Sequence, residues 1–162
     1  MASLFRRRSS TVPPLVPIPP IADLPPAKLQ ASAKYLGTLT VPAEGGAGDR
    51  VVGHSLAAKS QARLSLSTEA LDVVRIAGSF RIRTEALRGA RSAERFAGKP
   101  VPDLLLVRWE HDGLPWETGF RLDAARSVRD AAKAQLGQGK AVVRPDVATW
   151  VRTISKLARG NG

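Results

Sequence analysis

The chain has 162 residues, sized for one domain plus tails, with 43% hydrophobic residues and no cysteine. The missing cysteines exclude a disulfide framework, a thiolate nucleophile and any cysteine-ligated zinc or iron–sulfur site, and they suit a reducing compartment. The net charge of +11 points to a polyanionic partner, yet residues 1–34 hold five Lys/Arg against one Asp, residues 35–125 twelve against eleven acids, and residues 126–162 eight against two. The body is nearly neutral and the flanks are basic, which suits attraction to an anionic lipid surface, or to RNA, more than a nucleic-acid grip by the folded face.

Residues 1–33 read as a disordered, Pro-rich basic linker, because proline recurs too often from Pro13 to Pro26 for a helix or a central strand. The cluster Arg6, Arg7 and Arg8 and the broken apolar run behind it are unlike a signal peptide. An aromatic residue, a triple arginine, a Pro-rich spacer and then a domain is an order typical of the cytoplasmic side of a transmembrane helix. The expected location is therefore cytoplasmic, peripheral to the inner membrane or anchored in it by a helix upstream of Met1.

The domain itself is expected over residues 34–162. Residues 34–41, rich in Tyr, Leu, Thr and Val, predict a first strand that ends before a glycine-rich loop. Ala62, Leu64 and Leu66 alternate with Arg63, Ser65 and Ser67, giving a half-buried strand with a polar outer face. Residues 71–76 and 79–83 predict a hairpin; a turn at Ala77-Gly78 would set Val73 against Ile82 and Asp72 against Arg83. A short strand is expected near residues 87–91, then a loop from Phe96 to Asp103.

The segment from Leu104 to Leu122 contains the plainest hairpin. Asp112-Gly113 favours a two-residue type I′ turn, and the register pairs Trp109 with Trp116, Arg108 with Glu117, Val107 with Thr118 and Leu105 with Phe120. Residues 123–137 read as a loosely attached Ala-rich helix bearing Arg126, Arg129 and Lys133 on its basic face. Residues 145–159 predict an amphipathic helix with Pro145 at its first position and Asp146 in its first turn. Its apolar stripe is Val147, Trp150, Val151, Ile154, Leu157 and Ala158, with Arg152, Lys156 and Arg159 lying away from it. The arginines and lysines of the tail and both helices (Arg6, Arg7, Arg8, Arg126, Arg129, Lys133, Arg152, Lys156 and Arg159) are the expected contacts to an anionic surface.

The expected fold class is mainly β with α: a strongly bent antiparallel sheet, or partly open barrel, of about seven strands capped by the C-terminal helix. The stretches YLGTL (35–39), LDVVRIAGSFRI (71–82), ALRGAR (86–91), AGK (97–99), LVRWE (106–110) and ETGFR (117–121) are similar to a pleckstrin-homology-like (PH-like) family of small actinobacterial membrane-associated proteins, often described as transporter or export proteins. The resemblance implies a PH-like domain and, in such relatives, a single transmembrane helix ahead of the Arg residues and Pro-rich linker.

No catalytic or metal constellation is proposed by spacing, and no cofactor or small-molecule substrate is expected. His54 and His111 stand alone and read as turn or surface histidines, Ser55, Ser60, Ser65 and Ser67 as strand-surface serines, and Gly45, Gly46 and Gly48 as a turn loop without a P-loop lysine. Trp109, Trp116 and Trp150 read as structural keystones. The competing picture makes Trp109 and Trp116 a stacking platform beside Arg81, Arg83, Arg88, Arg91 and Arg95; the favoured one buries the tryptophans and pairs those arginines with Asp72, Glu85 and Glu94. A specific inositol-phosphate pocket in the first loop is disfavoured, because its one Arg and one Lys are offset by Glu44 and Asp49. The expected function is a non-enzymatic interaction module near the cytoplasmic face of a bacterial membrane, binding a protein or peptide by sheet edge and groove; the alternative is a basic-tailed RNA- or DNA-binding accessory protein.

Overall fold

The computed structural model describes residues 12–123 and 146–160. Among these, seven strands form one antiparallel sheet: β1 (Leu29–Thr40), β2 (Ser60–Leu66), β3 (Ala70–Val74), β4 (Phe80–Arg83), β5 (Leu87–Phe96), β6 (Lys99–His111) and β7 (Leu114–Leu122), in the order β4-β3-β2-β1-β7-β6-β5. One helix, α1 (Val147–Arg159), follows them. The sheet is unclosed, since β4 and β5 end it, but it bends hard. Phe80 of β4 stacks on Trp109 of β6 with ring centroids 6.0 Å apart, although four strands separate them in the sheet order.

The concave face holds the main core. Tyr35, Leu64, Leu66, Val73, Phe80, Leu105, Val107, Trp109 and Phe120 alternate onto it from their strands, and Trp150, Ile154 and Ala158 close it from α1. The helix packs on β5, β6 and the short 3-10 turn Thr84–Ala86. Asp146 is the N-cap, its carboxylate accepting from the Thr149 amide at 3.0 Å, and so stands one position outside the helix where the first turn was expected. Pro145 and residues 124–137 of the expected 123–137 helix lie outside the described residues, as do Arg6, Arg7, Arg8, Arg126, Arg129 and Lys133.

The β6–β7 hairpin has the expected register throughout, and Asp112 and Gly113 both have positive φ (53° and 79°). The β3–β4 hairpin differs from expectation: Val73 meets Phe80, Leu71 meets Ile82 and Asp72 meets Arg81. Its turn is Ile76-Ala77, closed by the Gly78 amide on the Arg75 carbonyl, one residue earlier than Ala77-Gly78. Moving the turn by one residue shifts the register by two, which keeps every side chain on its face and therefore keeps apolar against apolar.

The expected loop from Phe96 to Asp103 is instead part of a third hairpin. β5 runs to Phe96, Ala97 and Gly98 turn with positive φ, and β6 starts at Lys99. Pro100 and Pro102 are tolerated because β7 pairs with β6 only from Leu104 onward, so their missing N–H groups cost no ladder bond on that side. A register shift between Ala93 and Arg95, with Asp103 at φ 51°, folds this hairpin tip back over the convex face. Phe96 lands on Gly119, where a Cβ would stand 2.7 Å from its ring, and joins Leu36, Leu104 and Leu106 in a second, smaller cluster.

The domain also begins earlier than expected. β1 starts at Leu29, not at 34, and residues 12–28 lie on the domain: Val12 and Leu15 pack on the core, and the Val16 carbonyl accepts from the Arg81 amide at 2.8 Å. Proline forbids a strand there without forbidding an extended strap, whose carbonyls remain available.

Candidate functional site

The tryptophans form no stacking platform. Trp109 and Trp116 are 2% and 3% exposed, meet edge to face at 5.2 Å, and belong to the same core cluster as Trp150. Trp109 donates to Thr118, which bonds Thr38, which bonds Tyr35, whose hydroxyl reaches the Leu56 carbonyl, so a buried polar chain ties three strands to the β1–β2 loop. Burial is the main reason that the Tyr35 hydroxyl is pushed above its ordinary pKa.

Nor do the five arginines form one strip. Arg81 and Arg83 sit on β4 at one edge of the sheet; Arg88, Arg91 and Arg95 sit on β5 at the other. Arg81 grips the buried Asp72 with two bonds of 2.7 and 3.1 Å; Arg88 pairs with Glu110, and Arg91 with Glu117. Glu85 offers Arg88 only its backbone carbonyl. Ser65 and Ser67, expected on the strand surface, are buried; the Ser67 hydroxyl accepts from the Glu69 and Ala70 amides and so closes the β2–β3 turn.

Three surfaces remain for recognition. The first is the β5 edge, with α1 beside it. Ser155 of α1 donates to the Ala90 carbonyl at 3.3 Å, which fixes that group as facing away from β6; strand alternation turns the amide and carbonyl of Ser92 the same way. The opposite edge, β4, is covered by Val16.

The second surface is the end of the sheet that carries the β1–β2 loop and the β3–β4 and β6–β7 turns, brought together by the antiparallel order. Three of the four large apolar side chains most exposed among the described residues sit there: Val52 (59%), Ile76 (105%) and Leu114 (48%).

The third is a groove of about 620 Å³ on the convex face, between the folded-back β5–β6 tip and the loop around Pro42–Gly48. Its floor follows from register. Asp49–Val51 returns beside the far half of β1, setting Arg50 against Leu39; Leu39 lies against Glu117, and Glu117 against Arg108. The next row is Gly37, Gly119, Leu106 and Arg91. Arg91 holds Glu117 at 3.1 and 3.2 Å, and Arg108 approaches it at 3.6 Å. Arg95 donates to the Gly98 carbonyl, and Arg50 makes one long hydrogen bond, 3.4 Å, to the Leu36 carbonyl and lies over the Phe96 ring at 6.0 Å; neither meets a carboxylate among the described residues. Of the arginines lining the groove, the first loop supplies Arg50 alone, whereas the other three arrive from β5 and β6.

Of the expected anionic-surface contacts, Arg152, Lys156 and Arg159 are exposed on α1. No described helix is long and apolar enough to cross a membrane, and no described cluster of His, Asp or Glu could hold a metal. The sequence profile of a family described as bacterial PH domain-like matches residues 13–136. No curated protein matches the chain.

Proposed function

The chain belongs to the bacterial PH domain-like family, and from that premise we propose a non-enzymatic interaction module that takes an extended segment of a partner protein along β5, close to the cytoplasmic face of a bacterial membrane. The carrying observation is the asymmetry of the two sheet edges: β4 is covered by the chain's own Val16, while on β5 the main-chain groups of Ser92 turn outward next to the Ala90 carbonyl, which Ser155 of α1 already engages. An added strand would gain main-chain hydrogen bonds from such an edge, and the α1 side would select its side chains. The apolar tips Val52, Ile76 and Leu114 and the basic residues of α1 and of the flanks favour work near a lipid surface.

Ser92→Pro removes the outward N–H and adds a ring on that edge, whereas Ser92→Ala leaves the backbone alone. Immobilised full-length chain should retain partner proteins from an extract of the cells that carry it; Ser92→Pro should lose them and Ser92→Ala keep them. An identical retained set for all three proteins removes β5 as the docking edge. For the membrane part, co-sedimentation should occur with anionic and not with neutral vesicles, and should weaken at physiological salt and on neutralising Arg6, Arg7, Arg8, Arg126, Arg129, Lys133, Arg152, Lys156 and Arg159. Salt-resistant or single-headgroup binding contradicts that electrostatic account, and retention of RNA in preference to vesicles supports a nucleic-acid role.

A further inference from the structure

We infer that the cleft between the strap of residues 12–28 and the convex face of β2 and β3 is a binding site for a small organic carboxylate with a flat apolar body. The strap leaves the β4 edge at Val16 and reaches the start of β1, where the Lys28 amide donates to the Leu66 carbonyl, so it arches over β3 and β2. Beneath it lies a cleft of about 500 Å³, in the range of small-molecule sites. Leu24, Pro25 and Pro26 wall it, and Val74 of β3 lines it from the sheet, turned to this face by alternation from the buried Val73. Ile21, in the 3-10 turn of the strap, also lines it and is largely exposed, so an occupant would cover apolar surface that the domain itself leaves to water.

Three polar side chains share the same space: Gln30 of β1 and Arg63 and Ser65 of β2. Arg63 has Ser32 and Val74 as its cross-strand neighbours and meets no carboxylate among the described residues, so its exposed guanidinium carries an uncompensated charge. Ser65 is 4% exposed, yet its hydroxyl has no hydrogen-bond partner among the described residues, and Gln30 stands directly across from it in the β1–β2 register. A lone guanidinium fork matches a carboxylate with paired hydrogen bonds, and the hydroxyl and amide beside it supply further donors. One positive charge suits a monoanion. β2 lies inside the sheet, and Pro25 and Pro26 have no N–H, so recognition rests on side chains and favours a compact molecule over a peptide strand. Proline rings are rigid apolar surfaces on which aromatic groups pack, which favours a flat body for the ligand. The cleft is on the half of the sheet away from β5, so it stands whether or not a partner docks on that edge.

The test is calorimetric titration of the full chain with cinnamate at neutral pH, with cinnamamide and acetate as parallel arms. Cinnamate should bind once per chain and raise the melting temperature, while cinnamamide, which lacks the charge, and acetate, which lacks the apolar body, should each bind about tenfold more weakly or less. Arg63→Gln and Ile21→Glu, both at exposed positions, should keep the melting temperature of the unliganded chain and each weaken cinnamate about tenfold, and Arg63→Lys should recover only part of the loss. Arg152→Gln removes the same charge from α1 and should leave the affinity unchanged. Absence of saturable binding, equal affinity for cinnamamide or acetate, or equal weakening by Arg152→Gln would overturn the assignment.

Discussion

Arg75 meets no carboxylate among the described residues, yet it is 5% exposed. Its fork donates to the Gly78, Ala58 and Ser55 carbonyls at 2.7 to 3.0 Å, and its plane lies 4.2 Å from the Tyr35 ring centroid, so one side chain ties the β3–β4 turn to the β1–β2 loop over the core. Burial lowers its pKa from the ordinary arginine value. Arg75→Ala leaves three carbonyls without their donor and should cost about 3 kcal/mol in denaturant unfolding. Arg75→Lys should recover only part of that, because a point charge cannot span three acceptors. Tyr35 beneath it gives a pH signature. Its folded pKa is raised, so the folded state holds the phenolic proton more tightly than the unfolded chain. That stabilisation is complete below the unfolded value of about 10 and is lost as pH rises through the higher folded value. Chemical denaturation across that alkaline range should therefore show falling stability, and Tyr35→Phe should flatten that fall.

The helix and the hairpins differ in how openly the sequence declares them. α1 buries Trp150 completely, with Ile154 and Ala158 on the same stripe. Trp150→Ala should cost roughly 3–5 kcal/mol, read from the unfolding midpoint, because a cavity of that size cannot collapse against a sheet already packed from its other side. An unchanged midpoint would mean that the helix does not close the core. This helix was legible because its 3.6-residue stripe is local, and β6–β7 because an Asp-Gly turn and its cross-strand pairs sit within nineteen residues. The β3–β4 register slipped because Ala-Gly resembles a turn pair, while Ser79 closes the real one by accepting from the Arg75 amide. The β5–β6 hairpin was hidden by Pro100 and Pro102, which read as loop unless the strand overhangs its neighbour. The groove needed β1 against β7, a pairing between residues about eighty apart that no local pattern specifies.

At the scale of the whole molecule, the Pro-rich strap is the feature that composition hid most completely. It lacks a periodic apolar pattern, yet Val12 and Leu15 reach the core, Val16 covers the β4 edge, and both histidines of the chain hold its main chain. His54 meets the Val12 carbonyl at 3.0 Å and His111 the Pro13 carbonyl at 3.3 Å, so each ring presents a protonated Nε2 there. A Pro-rich segment loses little backbone freedom on docking, which lets so few contacts suffice. Removing residues 1–20 should strip apolar cover from the core and bare the β4 edge, lowering the melting temperature by about 5–10 °C, on the order of 2–3 kcal/mol for a chain of this size. The bared edge should also promote self-association visible in size-exclusion chromatography, because unpaired strand groups template a second copy. A truncated protein that melts with the full chain and stays at its elution volume would show that the strap contributes nothing to the fold, and would make the β4 edge a second surface open to a partner.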